Sequence, residues 1–230
     1  MKLHRGIGAL LGTLLLGTAG LAQADAFVGV LPTTPGGTNY QAYYDSTTNL
    51  TWLANADMNG GTWWAANTWA SGLDINGVTG WTLPTTTQPD SSCGGQFNPG
   101  GGLPNQGYGF NCTGSQMGNL FYNGLGGSAG NSIVSTHNSN YGLFSNVQSY
   151  YYWSATEYAP NTGGAWGFNF GAGYQDGGGY KTDDLYAWAV HSGDAGAPPA
   201  TGVPEPGEFG LMGMAMAAAG FAARRRLALR

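Results

Sequence analysis

The chain has 230 residues, 42 of them glycine, with 13% aromatic and only 8% charged side chains and a formal net charge of −5. Between residues 25 and 202, Lys181 is the only lysine or arginine against ten acids, which leaves that stretch near −9. A surface so poor in cations cannot neutralise phosphate or sulfate groups, which argues against nucleic acid and sulfated glycans as partners and leaves neutral or cation-bridged sugars.

At the amino end, Lys2 and Arg5 precede an apolar run over residues 7–21, and Ala22, Gln23 and Ala24 supply the small residues a signal peptidase needs. Residues 1–24 are therefore expected to be a signal peptide, cut after Ala24. A retained membrane helix fits less well, because the run is short and polar loop residues follow at once. Residues 31–38 form a Pro/Thr/Gly lead-in. Residues 39–44 are an edge-strand candidate that residues 45–49 turn back into residues 50–53, which is hairpin grammar. Thr62 can cap a helix whose Ala66, Trp69, Ala70 and Leu73 share one face, with Gly72 weakening the last turn. Residues 79–84, with Trp81 and Leu83, predict a short buried strand or turn.

A polar, glycine-rich loop over residues 85–113 follows, long enough without apolar content to be functional or mobile. It holds the chain's two cysteines, Cys93 and Cys112, with no other metal-ligand residue nearby. In an exported chain these predict a disulfide, worth about 3 kcal/mol for a loop of about 20 residues. A zinc site would leave two coordination positions unfilled. Residues 115–122 predict a second short helix with Met117, Leu120 and Phe121 on one side, and Tyr141, Leu143 and Phe144 lead into an aromatic block. There, residues 150–158, 166–170 and 185–190 are expected to be core strands of one antiparallel sheet. Trp166, Phe168 and Phe170 share one face by their period of two, as do Tyr186, Trp188 and Val190. Gly177, Gly178 and Gly179 predict a hairpin tip, with Asp176 before it and Asp183 and Asp184 after it. Two short helices early and a curled antiparallel sheet late give an α+β layout with one core, assigned to a single domain over residues 25–194.

Several words in this order carry a family resemblance: Tyr44-Asp45 to Leu50-Thr51-Trp52-Leu53; Thr62-Trp63 to Trp69-Ala70; Gly80-Trp81-Thr82-Leu83-Pro84-Thr85; Gly118-Asn119-Leu120-Phe121; Tyr152-Trp153-Ser154-Ala155-Thr156-Glu157-Tyr158; and Ala187-Trp188-Ala189-Val190. Over about residues 40–192 the chain resembles the DUF1566 family, also called the Lcl C-terminal domain. The resemblance implies a C-type-lectin-like fold related to the formylglycine-generating enzymes, and a role at the bacterial surface with glycan binding. The chain departs from the pattern in lacking basic residues, which puts sulfated-glycan binding in doubt. It also lacks the late cysteine pair that carries the formylglycine-generating chemistry, so that activity does not transfer.

At the carboxyl end, Val203-Pro204-Glu205-Pro206 is followed by an uncharged run over residues 209–223 and then Arg224, Arg225 and Arg226. The three parts resemble a PEP-CTERM sorting signal over residues 203–230, with residues 195–202 as linker. The prolines keep the backbone extended for a protease, and the arginines hold the end cytoplasmic. At 1.5 Å per residue the run reaches about 22 Å, short of a ~30 Å hydrocarbon core, so it predicts a weak, temporary inner-membrane anchor. A permanent single-span tail is the competing reading. The resemblance implies cleavage by an exosortase in a Gram-negative, exopolysaccharide-producing bacterium, then release or transfer to the cell surface or extracellular matrix.

Among chemistry candidates, residues 126–130 match the letters of a G-x-S-x-G elbow around Ser128, with Asp183 and His191 following in hydrolase order. The flanking pattern lacks the strand before and the helix after that an elbow needs. Gln88-Pro89-Asp90 has the letters of a lectin sugar triplet, but in the wrong place. Glu157, Asp176, Asp183 and Asp184 could converge on calcium, the one cofactor considered; solvated loop acids are the plainer alternative. Trp166, Tyr174 and Tyr180 flank the glycine run and are the candidate sugar-stacking rings. The expectation is an exported, non-enzymatic surface or matrix protein, sorted by signal peptidase and exosortase and binding neutral exopolysaccharide. A matrix component with no ligand site is the alternative, and a serine hydrolase the third.

Overall fold

The computed structural model describes residues 26–57 and 60–198. The expected signal peptide, the sorting residues Val203, Pro204, Glu205, Pro206, Arg224, Arg225 and Arg226, and the apolar run at 209–223 lie outside the described residues. No helix among the described residues is long and apolar enough to cross a membrane.

The early hairpin forms as its turn residues dictate. Strand β2 (Tyr40–Asp45) pairs antiparallel with β3 (Leu50–Leu53), Asp45 opposite Leu50. The Asp45 carboxylate accepts from the Thr47 N–H at 2.9 Å and the Thr48 hydroxyl at 2.6 Å, and Asn49 takes the left-handed conformation, φ 55°, that closes the turn. The expected edge position of this strand is corrected: β1 (Phe27–Pro32) pairs outside it, and a last strand, Val190–Ser192, pairs with β3 on the other side. Thr62 caps α1 (Trp63–Ser71), accepting from the Ala65 N–H at 3.4 Å. Ala66 and Ala70 are the buried positions, and their small size lets the helix approach the sheets closely. The Trp63 indole N–H donates to the Ser154 carbonyl at 2.8 Å and ties the helix to the second sheet.

The expected structureless loop is also corrected, since it carries a hairpin of its own, β4 (Gly95–Phe97) against β5 (Gln106–Tyr108). Three-residue strands without an apolar face give no sequence period; what holds them is side-chain hydrogen bonding and a crosslink. Cys93 and Cys112 are disulfide-bonded, with Cα atoms 4.1 Å apart. Buried Asp90 accepts from the Ser92 N–H at 3.0 Å, the Ser92 hydroxyl at 2.5 Å and the Ser115 hydroxyl at 3.2 Å. The second helix, α2 (Gln116–Asn119), runs on as a π-helical turn over Leu120–Gly124, and Met117, Leu120 and Phe121 are buried as expected.

The aromatic block divides between two sheets rather than forming one. Strands β6 (Tyr151–Glu157), β7 (Gly164–Asn169) and β8 (Tyr174–Tyr180) make a three-stranded antiparallel sheet. The third expected strand leaves it: Tyr186 makes a single parallel bridge to Tyr152, and Val190–Ser192 becomes β9 of the four-stranded sheet, order β1-β2-β3-β9. Trp188 sits where the two sheets meet, with ring centroids 5.1 Å from Phe144, 5.6 Å from Trp52 and 5.7 Å from Phe170. Its indole N–H donates to the Leu53 carbonyl at 2.7 Å. The glycine run is corrected as well: Gly177 and Gly179 lie inside β8, opposite Trp166 and Ala165, and Gly178 (φ 99°) is the extra residue of a bulge. A Cβ on Gly177 would stand 2.5 Å from the Tyr158 ring, so the bulge brings backbone and ring together in a way only glycine allows. Ala195, the first residue of the expected linker, is buried and its N–H donates to the Thr51 hydroxyl at 3.0 Å, so the packed body extends past Asp194. The described residues are sheet-rich, with two short helices and open antiparallel sheets, an α+β arrangement.

Candidate functional site

The bulged strand and the crosslinked hairpin meet at a cleft. Gly109 and Gln175 exchange two backbone hydrogen bonds of 2.8 Å, which sets the hairpin beside β8. Three glutamines hold it there. Gln88 accepts from the Gly107 N–H at 2.6 Å and donates to the Gly107 carbonyl at 2.9 Å; Gln175 donates to the same carbonyl at 2.9 Å; Gln96 donates to the Asp90 carbonyl at 2.7 Å. Gly107 permits this clamp, because a Cβ there would lie 2.3 Å from the Asp90 carbonyl oxygen.

The cleft so formed has a volume of about 350 Å³. The hairpin contributes Phe97, Gln106 and Tyr108, and the sheet contributes Tyr158, Trp166 and Asp176. Trp166 is only 1% exposed and meets the Tyr158 ring edge-on at 5.4 Å, while Phe97 and Tyr108 are 40% and 37% exposed. Gln106, also 1% exposed, donates its amide NH₂ to the Pro104 carbonyl at 2.7 Å. That bond fixes which end of the amide faces which way, because a carbonyl can only accept. The Gln106 Oε1 is left buried with no hydrogen-bond partner. Asp176 is exposed at the cleft edge, and partial desolvation there pushes its carboxyl pKa up, opposed by a hydrogen bond from the Gly177 backbone. Ring faces beside two acceptors can stack on a sugar ring and accept from its hydroxyls.

Asp176 also borders a second concavity of about 280 Å³ on the other face of β7, where Tyr150, Tyr151, Trp153 and Asp183 stand over Gly167 and Gly179. The expected residues are thus only partly gathered. Trp166 lines the first cleft, but Tyr174 turns its ring against Phe110 at 5.0 Å and Tyr180 is 66% exposed without lining either cleft. The rings that do line the first cleft beside Trp166 come from Phe97, Tyr108 and Tyr158; a disulfide enclosing three aromatic residues, Phe97, Tyr108 and Phe110, was the one sequence signal pointing to the hairpin pair.

Nor do the four carboxylates converge. Glu157 pairs with Lys181, Asp183 accepts from the Tyr180 N–H at 3.1 Å, and Asp184 lines a third concavity with Asp57, next to the second through Tyr150 and Leu185. Among the described residues the only group close enough to share an ion is Asp90 with Cys93 and Cys112, whose thiols are consumed by the disulfide. Ser128, Asp183 and His191 do not form a relay either. Ser128 follows a π-helical turn and its hydroxyl accepts from Asn131 at 3.2 Å, whereas His191 lies against Trp81 with its Nδ1 buried and unpartnered. Gln88 and Asp90 spend their side chains on neighbouring backbone and hydroxyl groups, which leaves the lectin-like triplet no free ligand atoms of that kind.

No family model matches the chain, and comparison with curated proteins and with solved structures likewise finds no match.

Proposed function

We propose that this chain is an exported, non-enzymatic surface or matrix protein whose C-type-lectin-like module binds carbohydrate free of phosphate and sulfate in the ring-lined cleft. The observation that carries the reading is the cleft itself, where the exposed rings of Phe97 and Tyr108 stand beside Tyr158 and Asp176, with Gln106 in the wall and its Oε1 buried without a hydrogen-bond partner. Leaving such an atom unpaired costs about 1–3 kcal/mol, a cost that a sugar hydroxyl donating to it would remove. The only cation among the described residues, Lys181, is buried against Glu157 and the Trp63 ring, so no positive group is at hand for an anionic sugar. The resemblance to DUF1566 and the PEP-CTERM-like tail supply the cellular half of the proposal: signal peptidase, a transient inner-membrane anchor, exosortase, then the surface of a Gram-negative cell.

Saturable binding on an array of neutral and amino-sugar polysaccharides tests the first half. Gln106→Met should leave stability within about 1 kcal/mol, because it removes a costly orphan, and should weaken binding about tenfold or more. Absence of saturable binding by the unaltered protein would leave the ligand-free matrix component as the better reading. For the second half, mass spectrometry of the secreted and cell-associated protein should find termini near Ala24 and near Pro204-Glu205-Pro206; an uncut chain would refute export and sorting.

A further inference from the structure

Asp176 is the one acid that borders both concavities, and it lies on β8, the end strand of its sheet. Asp183 waits in the second, engaged by one backbone N–H. Neither acid has a counter-ion among the described residues, where Lys181 is already committed to Glu157 and Trp63. The Gln106 Oε1 in the first cleft is a further unpaired acceptor and carries no hydrogen to give. Along these two clefts the protein therefore offers acceptors and negative charge, flanked by rings: Phe97, Tyr108 and Tyr158 in the first, Tyr150 and Tyr151 in the second. What complements it is a ligand rich in donors and positive charge with flat apolar faces. A hard metal ion fits poorly, since it needs several oxygens around one point and no three acids of this region come that close. An ammonium group is satisfied by one or two acceptors.

We propose that the two concavities form one path for an interior stretch of a polysaccharide whose sugars carry free amines, with Asp176 and Asp183 receiving the ammonium groups. This rests on the carbohydrate reading above and narrows it to a class of polymer. Neutral units between the amines stack on the rings and donate to Gln106. Because the path spans two clefts, a chain of several sugars gains contacts that a disaccharide cannot reach.

The test uses the full-length protein and four probes: the β-1,4-linked glucosamine hexamer and dimer, and their fully N-acetylated counterparts, titrated calorimetrically in mildly acidic, low-salt buffer. The glucosamine hexamer is expected to bind about tenfold or more tighter than the acetylated hexamer, the increment of one charge-assisted hydrogen bond, and tighter than either dimer. Asp176→Asn should remove most of the preference for the amine while retaining the acetylated hexamer. Tyr150→Ala, at a position 53% exposed and so harmless to folding, should weaken hexamers and spare dimers. Equal affinity for amine and acetamide, or an amine preference that survives Asp176→Asn and Asp183→Asn together, would overturn the proposal and leave the broader carbohydrate reading standing. Failure of all four probes and of the polysaccharide array would overturn both.

Discussion

Asp176 shows how a single residue can be set against the stability of its own fold. The side chain is exposed, yet partial desolvation beside the cleft raises its carboxyl pKa, so the native state holds the proton to a slightly higher pH than the unfolded chain, whose aspartates titrate near ~3.9. With more protons on the native state, stability falls as pH rises through that window, and the penalty is fully present above the folded pKa. Asp176→Asn should therefore raise the melting temperature at neutral pH, by a small amount because solvent screens an exposed carboxylate, and the amide can still accept from the Gly177 N–H. The gain should close as the pH drops below the unfolded carboxylate range. Melting curves of both proteins across acid and neutral pH check the sign; a substitution that destabilises at neutral pH would mean the charge is compensated in the free protein. A residue that costs stability while bordering two clefts is what a binding role would retain. Lys181 is the opposite case: its stem is buried, its ammonium lies 4.3 Å from the Trp63 ring centroid, and Glu157 completes its shell.

Among the elements, the β4–β5 hairpin depends most on something other than its own sequence. Its strands have three residues each, with Gln96, Phe97 and Tyr108 exposed, and an isolated hairpin of that kind is not stable in water. The Cys93–Cys112 crosslink closes a loop with a sequence separation of 19, worth about 3 kcal/mol on the chain-entropy model. Replacing both cysteines by alanine should lower the unfolding free energy in urea by roughly that amount, about 3 kcal/mol. It should also loosen Phe97 and Tyr108 and weaken carbohydrate binding even where the protein is still folded. Unchanged binding in the double variant would show that the Gln88, Gln96 and Gln175 hydrogen bonds alone set this wall. The same hairpin marks the limit of what the sequence discloses. The β2–β3 hairpin was legible because Asp45 and Asn49 are turn residues between apolar strands, and α1 because Thr62 precedes alanines at helical spacing. By contrast, β4 and β5 have no period to detect, and the three glycines of β8 have the composition of a turn although a strand needs them for its approach to Tyr158. The cleft was legible only through Trp166 and Asp176. Gln106 and Tyr108 reach it because amide side chains distant in the chain fix the hairpin, and that pairing leaves no local pattern.

At the scale of the whole molecule, the separation of the aromatic block into two sheets decides how the protein unfolds. Had residues 185–190 completed a single sheet, the four-stranded and three-stranded parts could have melted separately. Instead the chain crosses from Tyr186 beside β6 to Val190 beside β3, and Trp188 is buried at the crossing. Its ring touches residues from both sheets, and its N–H satisfies the carbonyl of Leu53 deep in the first. Trp188→Phe keeps most of the apolar contact but leaves that carbonyl without a donor, a cost of about 1–3 kcal/mol before the missing ring volume is added, and about 3 kcal/mol or more in all. Trp64→Ala, on the outer face of α1 and 52% exposed, should change stability by less than about 1 kcal/mol. Hydrogen exchange should show the amides of β3 and of β7 losing protection together in Trp188→Phe, because the contact it weakens is shared by both sheets. Loss confined to β3 and β9, with β6 to β8 still protected, would mean that the sheets are separate cooperative units and that Trp188 serves only the first.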